Sequence, residues 1–152
     1  PQDTVMILKN HPFVKKTYEI PLEYQERIFD LSAEENINDL LFIASVLITD
    51  YSSVIFEASL LNLPIVFYTF DLQEYLDSRD IYFDFASFAP GKIVGDRQTL
   101  EKEIEQVLQG EGEETKEGSI SREQFCRFFL GSLDGKSTER TMELVKQLLT
   151  TD

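Results

Sequence analysis

Short, apolar, β-branched runs recur along the chain, and polar breaks and segments of helical spacing separate them. Val5-Met6-Ile7-Leu8, Arg27-Ile28-Phe29-Asp30-Leu31, Val46-Leu47-Ile48-Thr49 and Ile65-Val66-Phe67-Tyr68 each read as a strand. They are apolar on both alternating faces, the pattern of strands buried on both sides. The fold class this predicts is α/β: a parallel sheet with helices on both faces.

The intervening segments carry helix signals. Ser32-x-x-Glu35 is a capping-box pattern, predicting a helix from about Glu35 to Ala44. Val54 to Leu61 reads as an apolar helix stopped at Asn62-Leu63-Pro64. Asp71-x-x-Glu74 predicts a capped short helix through about Leu76. Tyr82, Phe83, Phe85 and Phe88 form an aromatic-rich stretch, Ala89-Pro90-Gly91 a turn, and Ile93-Val94 a further short strand. Leu100, Ile104, Val107 and Leu108 fall at helical spacing, and a charged loop, Gly110 to Glu114, follows. Ser121-x-x-Gln124 is a second capping box, opening a helix with Phe125, Phe128 and Phe129 on one face and closed by Leu133-Asp134-Gly135. Met142, Val145, Leu148 and Leu149 mark a last helix. The domain expectation is one unit, 1–152, with C-terminal helices over 121–150. The strand that begins almost at Pro1 reads as a piece of a longer chain.

Composition excludes several classes. The 152 residues fit one domain. The formal charge of −14 gives no basic face for nucleic acid. One Cys cannot make an intramolecular disulfide framework and fits a reducing compartment. One His and one Cys leave no His/Cys zinc site, and no metal is expected. No apolar run approaches the ~20 residues of a membrane span.

Four places can carry chemistry. Thr49-Asp50-Tyr51-Ser52-Ser53 lies between a strand end and a helix start. Ligands of open α/β sheets bind at strand carboxyl ends, and a helix N-terminus suits phosphate. Ser52 and Ser53 would add hydroxyls; the bland alternative is that either is only an N-cap. Lys9-Asn10-His11-Pro12 also follows a strand, and with Lys15 and Lys16 forms the one locally basic stretch. His11 can donate to a phosphate or exchange a proton with it; a satisfied surface histidine is the alternative. Asp77 and Arg79 can bind a ribose, base or phosphate, or form a solvated ion pair. Asp134 to Arg140, with Ser137 and Thr138, reads as a second anion site or as plain helix capping. The aromatic stretch can stack a base or be core, Cys126 reads as a small core residue, and the acids from Glu101 to Glu117 as a solvated face.

Together these segments resemble the CDP-glycerol glycerophosphotransferases of teichoic acid synthesis. The matching stretches are Leu8 to Pro12, Val46 to Val54, Pro64 to Tyr68, Tyr75 to Arg79, Tyr82 to Asp84, Pro90-Gly91 and Asp134 to Arg140. The resemblance implies a Rossmann-like sheet in the C-terminal, donor-binding half of a GT-B transferase. It implies a CDP-glycerol or CDP-ribitol substrate and no cofactor. The acceptor would be a lipid-linked teichoic acid, held mainly by a missing N-terminal half. Its hydroxyl would attack the phosphorus attached to the alditol, and CMP would leave. The family's general base is a His of that N-terminal half, and this chain has only His11. His11 matches instead the His that contacts the donor phosphates. Ser52 and Ser53 match the pyrophosphate-binding turn with Asp50 beside them, and Asp77, Arg79, Ser137 and Thr138 are weaker carry-overs. Asp80 stands where a small residue is more usual in the family. The fragment alone would be inactive. The full-length protein would sit in the cytoplasm at the inner membrane face, held by other parts. Three alternatives stay open: a nucleotide-sugar transferase of the same fold, a receiver-like signalling module with Asp50 as acceptor, and a non-catalytic interaction domain.

Overall fold

The structure, a computed structural model, describes residues 3–11, 13–14, 18–34, 36–79, 82–111 and 120–150. The chain forms two compact units, Pro1–Ile43 and Ala44–Asp152.

In the first unit, β1 (Met6–Leu8) pairs in parallel with β2 (Ile28–Asp30), Ile7 opposite Phe29. A 3-10 turn, Leu22–Tyr24, precedes β2, and α1 (Ile37–Ile43) follows it. These strands were expected to be buried on both faces. Instead Val5 is 55% and Met6 48% exposed, because a two-stranded ladder offers little to bury them against. Leu41 of α1 is the buried hydrophobic residue among the described residues of this unit. The Ser32 hydroxyl accepts from Asn10 N–H across the strand ends, at 3.0 Å, and Glu35, its partner in the capping-box pattern, lies outside the described residues. Asn36 Oδ1 takes the Asn38 N–H, just before α1. Residues 112–119 also lie outside the described residues.

The second unit holds the main core. Its sheet has the order β3 (Leu47–Thr49), β4 (Ile65–Tyr68), β5 (Lys92–Val94), all parallel. So the parallel prediction holds, but as two ladders among the described residues. β4 lies between the other two strands of its sheet, and Ile65, Val66 and Phe67 are all buried. β3 keeps Ile48 partly exposed. Between β3 and β4 runs α2 (Ile55–Leu60). It ends in a Schellman motif rather than simply at Pro64: Leu63 N–H bonds Ala58 C=O and Asn62 N–H bonds Ser59 C=O. Asn62 takes the left-handed conformation at φ 54°, and its side chain accepts from buried Arg122 at 3.0 Å.

Between β4 and β5 lie α3 (Leu72–Ser78) and α4 (Phe85–Phe88). The aromatic-rich stretch thus contains a helix that periodicity did not show, capped by Asp84 on Ser87 N–H. Phe85 is its buried face, packed edge-on against Phe67 at 5.3 Å. After β5 comes α5 (Arg97–Leu108), then α6 (Arg122–Phe129) and α7 (Ser137–Leu149). The capping box of Ser121 and Gln124 is present in both directions. Phe125 and Cys126 are buried as expected, Phe125 beside Phe56 of α2 at 5.2 Å. However, α6 ends at Phe129 with Leu130 as C-cap and Gly131 at φ 60°, earlier than Leu133-Asp134-Gly135.

Two predictions arise here. Gly91 is buried beside β4, and a Cβ there would stand 2.3 Å from the Ile65 carbonyl oxygen. Backbone, not a flexible side-chain tip, would have to give. Gly91→Ala is expected to cost at least about 1–3 kcal/mol, read as a fall in the urea midpoint; an unchanged midpoint would contradict this packing. The second concerns Asp96, the N-cap of α5, whose carboxylate accepts the Thr99 N–H at 2.9 Å. That bond holds its pKa below the ordinary carboxylate value of 3.8. The stability it brings is therefore present above that value and lost as pH falls through the depressed folded value. The stability gap between wild type and Asp96→Ala should be open at pH 6 and close toward pH 2–3. A gap independent of pH would contradict the cap's ionic character.

Candidate functional site

In the first unit the segment after β1 is held by β2's end. Lys9 Nζ donates to the Ser32 carbonyl at 3.1 Å, and Asp30 accepts the Ser32 N–H at 2.9 Å. Past this anchor His11 is exposed. Its Nδ1 accepts the Phe13 N–H at 3.2 Å, and its ring lies 4.9 Å from that of Phe13. Because Nδ1 accepts, the neutral ring carries its proton on Nε2, which can donate to a ligand oxygen. Pro12, Lys15 and Lys16 lie outside the described residues.

In the second unit the carboxyl ends of three parallel strands present three loops. After β3 come Asp50, Tyr51, Ser52 and Ser53; after β4, Thr69, Phe70 and Asp71; after β5, Gly95 and Asp96. Asp50 and Ser53 are exposed and Ser52 half-buried. Ser52 Oγ accepts the Val54 N–H at 3.3 Å, while Ser53 uses its carbonyl to accept from Phe56. Val54 is the N-cap of α2 and makes no side-chain cap bond. So the N-cap alternative is met only in a weak form, by Ser52 reaching two residues on.

Tyr51 is half-buried on this rim. Its hydroxyl donates to Asp71 Oδ1 at 2.9 Å, and its ring stacks on Tyr75 at 3.7 Å. Burial and the Asp71 carboxylate push the phenol well above its ordinary pKa, so it stays a donor. Asp71 occupies the N-cap position of α3 but makes no side-chain cap bond, contrary to its expected capping role, because its carboxylate serves Tyr51. Sequence reading did not single out Tyr51, Asp71 or Tyr75 as site residues. The signal available was position: Tyr51 sits inside the strand-end turn.

Other candidates are placed differently. Asp77 accepts from Gln73 at 3.1 Å, and Arg79 lies 6.0 Å from the centre of the Tyr75 ring. Both are exposed at the end of α3. At α7, Asp134 pairs with Arg140 at 2.8 Å and accepts the Lys136 N–H, and Ser137 Oγ accepts from Arg140 at 3.2 Å. Asp134 thus occupies the Lys136 N–H and the Arg140 guanidinium beside Ser137 and Thr138. Among the described residues no three His, Cys, Asp or Glu side chains gather as a metal site. No described helix is long and apolar enough to cross a membrane.

The architecture is α/β, parallel strands with helices between them, and a serine turn leads from a strand end into a helix. The solved wall teichoic acid polymerase TagF superposes with a TM-score of 0.72 at 25% identity, over 96% of this chain and 34% of that one. A sequence model of the CDP-glycerol:poly(glycerophosphate) glycerophosphotransferase family matches residues 1–147, and the chain belongs to that family. The teichoic acid poly(ribitol-phosphate) polymerase of Bacillus spizizenii is 38% identical over 141 residues, covering 93% of this chain and 22% of that protein. The teichoic acid ribitol-phosphate primase of the same organism is 38% identical over 149 residues, covering 98% and 36%. The teichoic acid ribitol-phosphate polymerase TarK of Staphylococcus aureus is 45% identical over 92 residues, covering 60% and 18%. The chain therefore spans about a third or less of the relatives it matches.

Proposed function

We propose that this chain is the donor-binding domain of a CDP-alditol polyol-phosphate transferase that builds teichoic acid or a related cell-wall or capsule polymer. The observation that carries the reading is the family match across residues 1–147, which includes the Thr49-Asp50-Tyr51-Ser52-Ser53 turn at the end of a parallel strand. On this reading the fold is a Rossmann-like donor-binding half, acting as one domain, and a further half binds the lipid-linked acceptor and supplies the base. The full-length protein works at the inner membrane face, attached through other parts.

The chemistry follows from the groups present. An acceptor hydroxyl oxygen forms a bond to the alditol-bound phosphorus, and the bond from that phosphorus to the CMP oxygen breaks. The hydroxyl proton goes to the base outside this chain, and negative charge grows on the leaving CMP phosphate. Such a reaction needs positioning and charge stabilisation more than covalent catalysis. His11 meets the donor phosphates through its Nε2–H, and Ser52 and Ser53 bind the pyrophosphate with their hydroxyls. Asp50, beside them, is a further contact to the nucleotide donor. Asp77, Arg79, Ser137 and Thr138 are secondary contacts.

The test is product analysis with the full-length protein and a teichoic acid primer. CDP-glycerol, CDP-ribitol and a UDP-sugar are each offered as donor. Release of CMP from a CDP-alditol with growth of the polymer is the expected result. Turnover of the UDP-sugar alone would transfer the assignment to a nucleotide-sugar glycosyltransferase.

A further inference from the structure

We propose that Tyr51 and Asp71 are positioning residues that tie the loop after β3 to the loop after β4 and thereby fix the Ser52-Ser53 turn for its ligand. The inference rests on the reading of that turn as the donor-phosphate site. Tyr51 lies between Asp50 and Ser52, so any rotation of its backbone moves both neighbours. Three side chains restrain it. Asp71 takes its hydroxyl at 2.9 Å, Tyr75 stacks parallel to its ring within 15°, and Phe85 meets it edge-on at 5.6 Å. Phe85 is itself wedged against Phe67, which is fully buried. The turn is thus anchored through one side chain to the centre of the sheet.

The turn has little else to hold it. Apart from the Tyr51 tether, its described bonds are the 3.3 Å contact from Val54 N–H to Ser52 Oγ and the 3.1 Å bond from Phe56 N–H to the Ser53 carbonyl, and α2 opens without a side-chain cap. Asp71 gives the second indication. A residue at its position ordinarily stabilises its own helix by accepting an N2 or N3 N–H. Asp71 leaves those donors and accepts from Tyr51, twenty residues back, so its carboxylate serves the neighbouring loop. This also keeps a carboxylate near the rim occupied by a donor. An aromatic placed only to fill the core would need no such partner.

The test uses the full-length protein with Tyr51→Phe, Asp71→Ala, Asp71→Asn and the Tyr51→Phe/Asp71→Ala pair. Three quantities are read: Kd for CDP-ribitol and CDP-glycerol by calorimetry, amide hydrogen exchange at Ser52, Ser53 and Val54, and overall stability in urea. Tyr51→Phe and Asp71→Ala should each raise Kd about fivefold to tenfold, the worth of one partly buried hydrogen bond, and speed exchange in the turn. Asp71→Asn, which keeps an acceptor, should restore part of both. The double variant should be no worse than Asp71→Ala alone. Unchanged Kd and exchange in Tyr51→Phe would overturn the proposal. So would a loss of overall stability, read by urea, with unchanged Kd. If the wild type binds neither CDP-alditol, the donor reading falls and takes the binding role of the tether with it. Faster exchange in the Tyr51→Phe turn would then mark the tether as structural only.

Discussion

Full-length protein carrying His11→Ala should keep its fold and lose about 10²–10³-fold in kcat, the usual cost of removing one donor to developing charge. The fold should survive because His11 is exposed and, among the described residues, its side chain meets Phe13, two positions on, through the amide and the ring. On the proposed role, in which the ring's Nε2–H meets charge that grows as CMP departs, the loss should appear in kcat more than in KM. His11→Gln supplies an amide N–H in place of the ring donor and should recover part of the rate. An alanine variant with wild-type kcat would remove His11 from the reaction. A variant that is slow only because it is unfolded would show it in its circular dichroism.

The largest stability effect is expected at Phe67. It is fully buried on β4, which has a strand on either side, and it meets Phe85 edge-on. Truncation removes its transfer energy, leaves a cavity and ends an aromatic pair. Phe67→Ala should cost about 3–5 kcal/mol. Against a total of about 5–15 kcal/mol, that puts the second unit near its limit. The measurement is amide exchange of the β4 residues in the full-length protein, which reads the opening free energy of this sheet. A drop below about 1 kcal/mol would mean that the β3–β4–β5 sheet is not the centre of the unit's stability. Exchange in the Asp50–Ser53 turn should rise with it, because Phe67 supports Phe85, and Phe85 supports Tyr51.

Much of this was legible along the chain, and the reasons are specific. β4 and its parallel neighbours were visible because Ile65, Val66 and Phe67 are apolar on both faces, which only a covered sheet accommodates. The Ser121 box was visible because both of its partners lie within one turn. What failed depended on contacts distant in sequence. Asp71 has the spacing of a cap but serves Tyr51, twenty positions away. Sequence spacing carries no sign of such a partner. Val5 and Met6 look like core, yet a two-stranded ladder leaves them partly exposed. The strand-end turn is a candidate by its position, and His11 by its strand-end place together with its lysine neighbours. The tethering role of Tyr51 could not, because it exists only once Asp71, Tyr75 and Phe85 are brought beside it.

The most direct test of the central claim is a calorimetric titration of the full-length protein with CDP-ribitol and CDP-glycerol, repeated with Ser52→Ala/Ser53→Ala. The account predicts saturable binding of at least one CDP-alditol, competed by CMP. Binding should weaken at least about tenfold in the serine variant, where two hydrogen bonds to a charged phosphate are lost. A folded wild type that binds neither CDP-alditol, or a serine variant that binds as tightly as wild type, would contradict it.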